Sequence, residues 1–116
     1  MDALFTKILC PIDFDRIALA AVELTARIAK QNEAAVCLLH VSPDSAPETA
    51  QAARDQLRGV ARSWMEGKVP YDIVVKSGAP ADAIVHAVEE SGADLIVMAT
   101  HGRTGEKLAR LGSVTD

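Results

Sequence analysis

Apolar and polar positions along this chain switch repeatedly between a period near two and a period near 3.6, which predicts an alternation of strands and helices. Lys7 to Ile12 is a short apolar run with β-branched content and predicts the first strand. Ile17, Ala21, Leu24 and Ile28 then recur at i, i+4, i+7 and i+11, which predicts a helix over 17–30 with one buried stripe. Ala35 to Val41 is almost continuously apolar, as expected of a strand covered by helices on both faces, and Ser42-Pro43-Asp44-Ser45 supplies a turn after it.

The next helix, about 47–66, puts Ala53, Leu57, Val60 and Trp64 on one face and stops at Gly67, with Pro70 just beyond. Trp64 is assigned to the core or a groove rather than to ligand stacking. Tyr71 to Lys76 reads as a third strand, Pro80 to Ser91 as a helix ending at Gly92, and Asp94 to Ala99 as a fourth strand. The order β-α-β-α-β-α-β predicts an α/β fold, an open parallel sheet with helices on both faces. No internal repeat, low-complexity segment or linker divides it, so residues 1–116 are expected to form one domain, burying roughly 65% of the unfolded chain's surface.

A hydrophobic content of 49% exceeds that of a disordered chain, and a net charge of −4 argues against general nucleic-acid binding. No apolar run approaches the roughly 20 residues that span a bilayer, and Met1-Asp2-Ala3-Leu4-Phe5-Thr6-Lys7 does not read as a signal peptide. A cytoplasmic protein is expected, with no membrane and no nucleic acid among its partners. Cys10 and Cys37 both fall in expected strands at a spacing that matches neither a redox pair nor a zinc site, and are read as buried free thiols. His86 is expected to be a partly exposed helix residue and His40 a satisfied strand-end histidine, while His101 divides evenly between a phosphate contact and a solvent-facing turn.

The stretch Ala99-Thr100-His101-Gly102-Arg103-Thr104-Gly105, followed after Glu106 to Leu111 by Gly112-Ser113-Val114, has the chemistry of a phosphate-holding loop. Its glycines allow close backbone approach, and Arg103, Lys107 and Arg110 outnumber the single acid Glu106. It is not a Walker loop, because Gly102 and Gly105 are too close together and Glu106 follows the second. Nor is it a dinucleotide fingerprint, which would place glycines after the first strand, where this chain has Cys10-Pro11-Ile12-Asp13-Phe14.

The segment resembles the signature of the universal stress protein family, Gly-x-x-Gly, nine residues, Gly-Ser/Thr, with Ala99 in place of the first glycine and Gly102, Gly112 and Ser113 matching. Lys7 to Asp13, Leu38-Leu39-His40-Val41, Gly78 to Ile84 and Asp94 to Met98 extend the resemblance over nearly the whole chain. It implies a Rossmann-like fold of the adenine nucleotide alpha hydrolase kind, with strand order 3-2-1-4 and the usual fifth strand missing. The winding reversal then falls between the first and fourth strands, where ligands of open α/β sheets bind. Pro11 suits that position, because a proline is tolerated in a central strand only where pairing opens.

The resemblance further implies ATP as ligand, with Mg2+ as its companion. The positions that surround adenosine in ATP-binding members match Pro11, Asp13 and Val41, and those lining the ribose and phosphates match Met98, Ala99, Gly102, Arg103, Gly112, Ser113 and Val114. A carboxylate can accept both ribose hydroxyl hydrogens, and backbone N–H groups with a serine hydroxyl can hold phosphate oxygens. Asp13 has a second reading, as a helix or turn cap.

Ala99 adds a Cβ where the ribose or first phosphate should approach, and the sequence stops at Val114-Thr115-Asp116, where family members continue with a helix and a final strand. Weaker ATP affinity is therefore expected, together with an open outer edge on the fourth strand that favours association, as a homodimer or a domain-exchanged arrangement. The expected function is that of a nucleotide-binding stress-response module with little or no turnover. No nucleophile with a base and no metal-binding acidic pair is apparent, although the loop is compatible with slow hydrolysis. The alternative is a nucleotide-free interaction protein that dimerises or docks a partner.

Overall fold

The computed structural model describes residues 4–13, 16–99 and 110–112, with 16–18 and 110–112 described by their backbone alone. The elements run β1 (Lys7–Pro11), α1 (Arg16–Asn32), β2 (Ala35–Ser42), α2 (Pro47–Trp64), β3 (Tyr71–Ser77), α3 (Pro80–Ser91), β4 (Leu95–Met98) and β5 (Arg110–Gly112). The strands stand in the order β3-β2-β1-β4-β5. The first four are parallel in the expected 3-2-1-4 order.

The outer edge of β4, expected to be open, is instead paired. Ile96, Val97 and Met98 lie opposite Gly112, Leu111 and Arg110 of the antiparallel β5. A bare edge leaves a row of N–H and C=O groups unmatched, and even a three-residue return strand satisfies part of that row.

Strand alternation divides the core into two layers. Ile8, Cys10 and Ile12 of the first strand segment join Val36, Leu38, Leu95 and Val97 on the face covered by α1 and α2. Leu9, Cys37 and Leu39 point to the other face, which α3 covers through Ala87. In α1 the buried line is Ala21, Val22, Thr25 and Ala29, with Leu24 and Ile28 half-buried beside it. The expected stripe is therefore rotated by about one position. Small residues face the sheet and let the helix approach, and the longer ones fill its flanks. The side chain of Ile17 lies outside the described residues.

On α2 the buried line is Ala53, Leu57 and Ala61, with Val60 and Trp64 packed against the core from the side. Both cysteines are buried and free. His86 is exposed. Helix α3 begins with Pro80 and ends at Gly92, whose φ of 73° is the left-handed C-cap conformation, its N–H donating to the Val88 carbonyl. At the amino end of the sheet the Asp94 carboxylate accepts the backbone N–H groups of Thr6 and Lys7 and the Thr6 hydroxyl, at 3.0–3.1 Å for the shortest contacts. Partial burial pushes this carboxyl up, but those hydrogen bonds outweigh it and hold the group below its ordinary value. This anchor ties the start of β4 to the start of β1.

Candidate functional site

The two neighbours of β1 leave it at different points. Pairing with β2 continues through Pro11 opposite Leu39, whereas pairing with β4 covers only Ile8 opposite Leu95 and Leu9 opposite Ile96. Beyond Leu9 the sheet therefore opens between β1 and β4. Ile12 N–H donates to the Leu39 carbonyl at 2.7 Å, so by strand alternation the nitrogen of Pro11 faces β4, where no ladder bond is needed. The proline sits where its missing donor costs nothing.

The opening is a cleft of about 210 Å³ lined by Pro11, Ile12, Asp13, Leu39, Val41, Pro80, Ile84, Met98 and Ala99. Five of the expected site residues, Pro11, Asp13, Val41, Met98 and Ala99, meet there from the carboxyl ends of three strands. Leu39 is buried at the cleft floor, Pro11, Val41, Met98 and Ala99 are half-buried, and Asp13 is exposed. The walls are apolar and the one carboxylate among them is that of Asp13.

Residues Pro80 and Ile84 complete the wall, and sequence reasoning did not assign them to the site. Their place follows from the turn before α3. Gly78 N–H donates to the Ser42 carbonyl at 3.1 Å, one step beyond β3, and its φ of 115° then directs the chain back over the sheet. The first turn of α3 thus stands beside the carboxyl ends of β1 and β2. No side chain caps its amino end, and Asp82 is the acid in that turn.

Asp13 is held through its neighbour. The His40 ring nitrogen Nδ1 lies 2.8 Å from the Ile12 carbonyl oxygen, so it carries the proton and donates. His40 is the satisfied strand-end residue that the sequence suggested. Gly102, Arg103, Ser113 and Val114 lie outside the described residues, as does His101. Gly112 belongs to β5, where its backbone stands opposite Ile96, along the body of β4 and not beyond its carboxyl end. Among the described residues no group of three or more His, Cys, Asp or Glu side chains could hold a metal ion.

The sequence profile of the Universal stress protein family matches residues 4–116. The chain belongs to the universal stress protein family. Universal stress protein MJ0531 of Methanocaldococcus jannaschii is 32% identical over 130 residues, covering 97% of this chain and 75% of that protein. The solved structure of MJ0577 from the same organism is similar at 26% identity, with a TM-score of 0.77 over 97% of this chain and 87% of that one. A universal stress family protein of Arabidopsis thaliana, solved with AMP bound, shares the fold at 24% identity and a TM-score of 0.63, covering 84% and 78% of the two chains. Among the described residues no helix is long and apolar enough to cross a membrane.

Proposed function

We propose that this universal stress protein binds an adenine nucleotide, ATP or a close relative, as a cytoplasmic regulatory module with little or no turnover. The observation that carries this reading is the convergence of Pro11, Asp13, Val41, Met98 and Ala99 on one cleft at the sheet opening. The AMP-bound Arabidopsis relative supports the ligand class.

The cleft is smaller than the roughly 300–1,000 Å³ of pockets that enclose whole drug-sized ligands. It takes a base or a sugar, and the phosphates then lie outside it. Apolar walls from Leu39, Val41, Ile84 and Met98 suit the flat faces of a purine. Asp13 at the rim can accept both ribose hydroxyls, which gives orientation and excludes ligands without a vicinal diol. Magnesium, where present, would be carried by the nucleotide's own phosphates, since the described residues offer it no cluster.

Calorimetric titration of nucleotide-stripped protein with ATP and magnesium, and separately with AMP, tests this reading. Saturable heat is expected, reduced by Ile84→Trp, which fills the cleft, and by Gly102→Val in the loop. No binding of either nucleotide at millimolar concentration would overturn it in favour of an interaction protein. Binding that ignores both substitutions would show that the nucleotide sits elsewhere.

A further inference from the structure

The other end of the sheet carries an edge with a different character. No described strand pairs with the outer side of β3. That strand runs for seven residues, Tyr71-Asp72-Ile73-Val74-Val75-Lys76-Ser77, and matches β2 one for one without a bulge. It contains no proline, and its one lysine is drawn aside to Glu90 at 2.8 Å. The usual devices that blunt an edge strand are therefore absent or engaged.

The ladder fixes which backbone groups face outward. Val36 N–H donates to the Pro70 carbonyl, and Gly78 N–H donates to the Ser42 carbonyl. Between those ends the parallel pattern turns the even-numbered residues toward β2 and leaves Tyr71, Ile73, Val75 and Ser77 presenting N–H and C=O outward.

From this edge we propose that a second copy of the chain adds to β3, antiparallel, about a two-fold axis through Val74. Val74 is the centre of the strand, so this register alone overlaps all seven residues. It places Ile73 opposite Val75 of the second copy as a hydrogen-bonded pair, using the outward-facing groups of both. Asp72 then lies opposite Lys76 of the second copy in a non-hydrogen-bonded pair, where side chains approach closest. The same register therefore satisfies the backbone, the β-branched contacts and the charges.

Existing ion pairs extend the match. Asp72 holds Lys7 at 3.0 Å with its own side chain 68% exposed, so it can still receive a second ammonium group. Across the seam, charges alternate as Lys7, Asp72, then Lys76 and Glu90 of the second copy. Such self-complementarity is what a two-fold interface requires. The assembly would be one continuous sheet with both α3 helices on the same side. It stands independently of nucleotide binding.

Sedimentation velocity on the full chain, over a concentration series reaching the millimolar range, tests the proposal with Asp72→Lys and Lys76→Asp. Each variant alone faces like charges across the seam and should dimerise roughly tenfold more weakly or worse than the parent chain. Mixed together they face only opposite charges, so a heterodimer near parental affinity should return. Amide exchange on the unaltered chain gives a second readout that needs no variant, with Ile73 and Val75 becoming protected as concentration rises. A parent chain that stays monomeric throughout overturns the proposal, and so does self-association that neither swap weakens. Failure of the mixture to recover, or outward amides that ignore concentration, would overturn it as well.

Discussion

His40 Nδ1 donates to the carbonyl oxygen of Ile12 at 2.8 Å, while the N–H of the same Ile12 donates to the Leu39 carbonyl at 2.7 Å. Both polar groups of one residue are thus held by consecutive residues of β2, and the next residue in the chain is Asp13. Removing the ring should loosen the carboxylate without touching any ligand. His40→Leu is expected to cost about 1 kcal/mol of stability and to weaken nucleotide binding about fivefold. His40→Gln, which keeps a donor, should retain more of the affinity at similar stability. Calorimetry beside denaturant unfolding checks both, and equal losses for the two variants would show that the ring serves packing alone.

Burial pushes the Cys10 thiol from 9.0 up to about 12, with a hydrogen bond from Thr25 opposing and nearby Cys37 adding to the rise. In the unfolded chain the thiol ionises near its ordinary value, so above that pH the unfolded state has lost a proton that the folded state keeps. Stability from this group is fully present below pH 9 and falls by about 1.4 kcal/mol per pH unit toward pH 12. Unfolding free energies measured over this range should fall less steeply in Cys10→Ala. A thiol reagent at neutral pH should leave the folded protein's Cys10 unmodified until denaturant is added.

Helix α1 ends in a left-handed residue that is not glycine. Glu33 has φ of 54°, with Ala34 N–H donating to the Ala29 carbonyl at 2.9 Å and Glu33 N–H directed at the Lys30 carbonyl at 3.5 Å. This is the Schellman arrangement, in which glycine avoids the Cβ penalty. Glu33→Gly should stabilise the protein by about 1 kcal/mol, read as a higher denaturant midpoint at unchanged slope.

The elements that the sequence disclosed are those with local causes. Pro80 and Gly92 bracket α3, Gly67 follows α2, and the apolar run from Ala35 marks a doubly covered strand. Strand β5 has no such cause. Arg110-Leu111-Gly112 carries too few residues for a period, and its pairing depends on where the chain returns, not on its own composition. In the site, Pro11, Asp13 and Val41 were legible because the sheet's winding reversal and the family resemblance point to the ends of β1 and β2. Ile84 was not, since its apolar helix spacing reads as ordinary core, and only the turn at Gly78 brings it over the cleft.

Among the described residues the sheet's two faces are unequally covered. Of the described helices, α1 and α2 bury the face of Ile8 and Val36, while α3 covers the face that holds Leu9, Leu39 and the cleft. Leu39, Val41 and Ile84 of the cleft lining belong to the thinly covered layer, while Ile12 and Ala99 come from the other. The heavily covered layer holds the fold against mutation, and the thinly covered one is at liberty to vary. Exchanges at Val41, Ile84 or Met98 are expected to reshape the cleft while the layer behind them keeps the protein folded, so that, if the proposed nucleotide binding holds, the scaffold is a starting point for ligands with other ring systems.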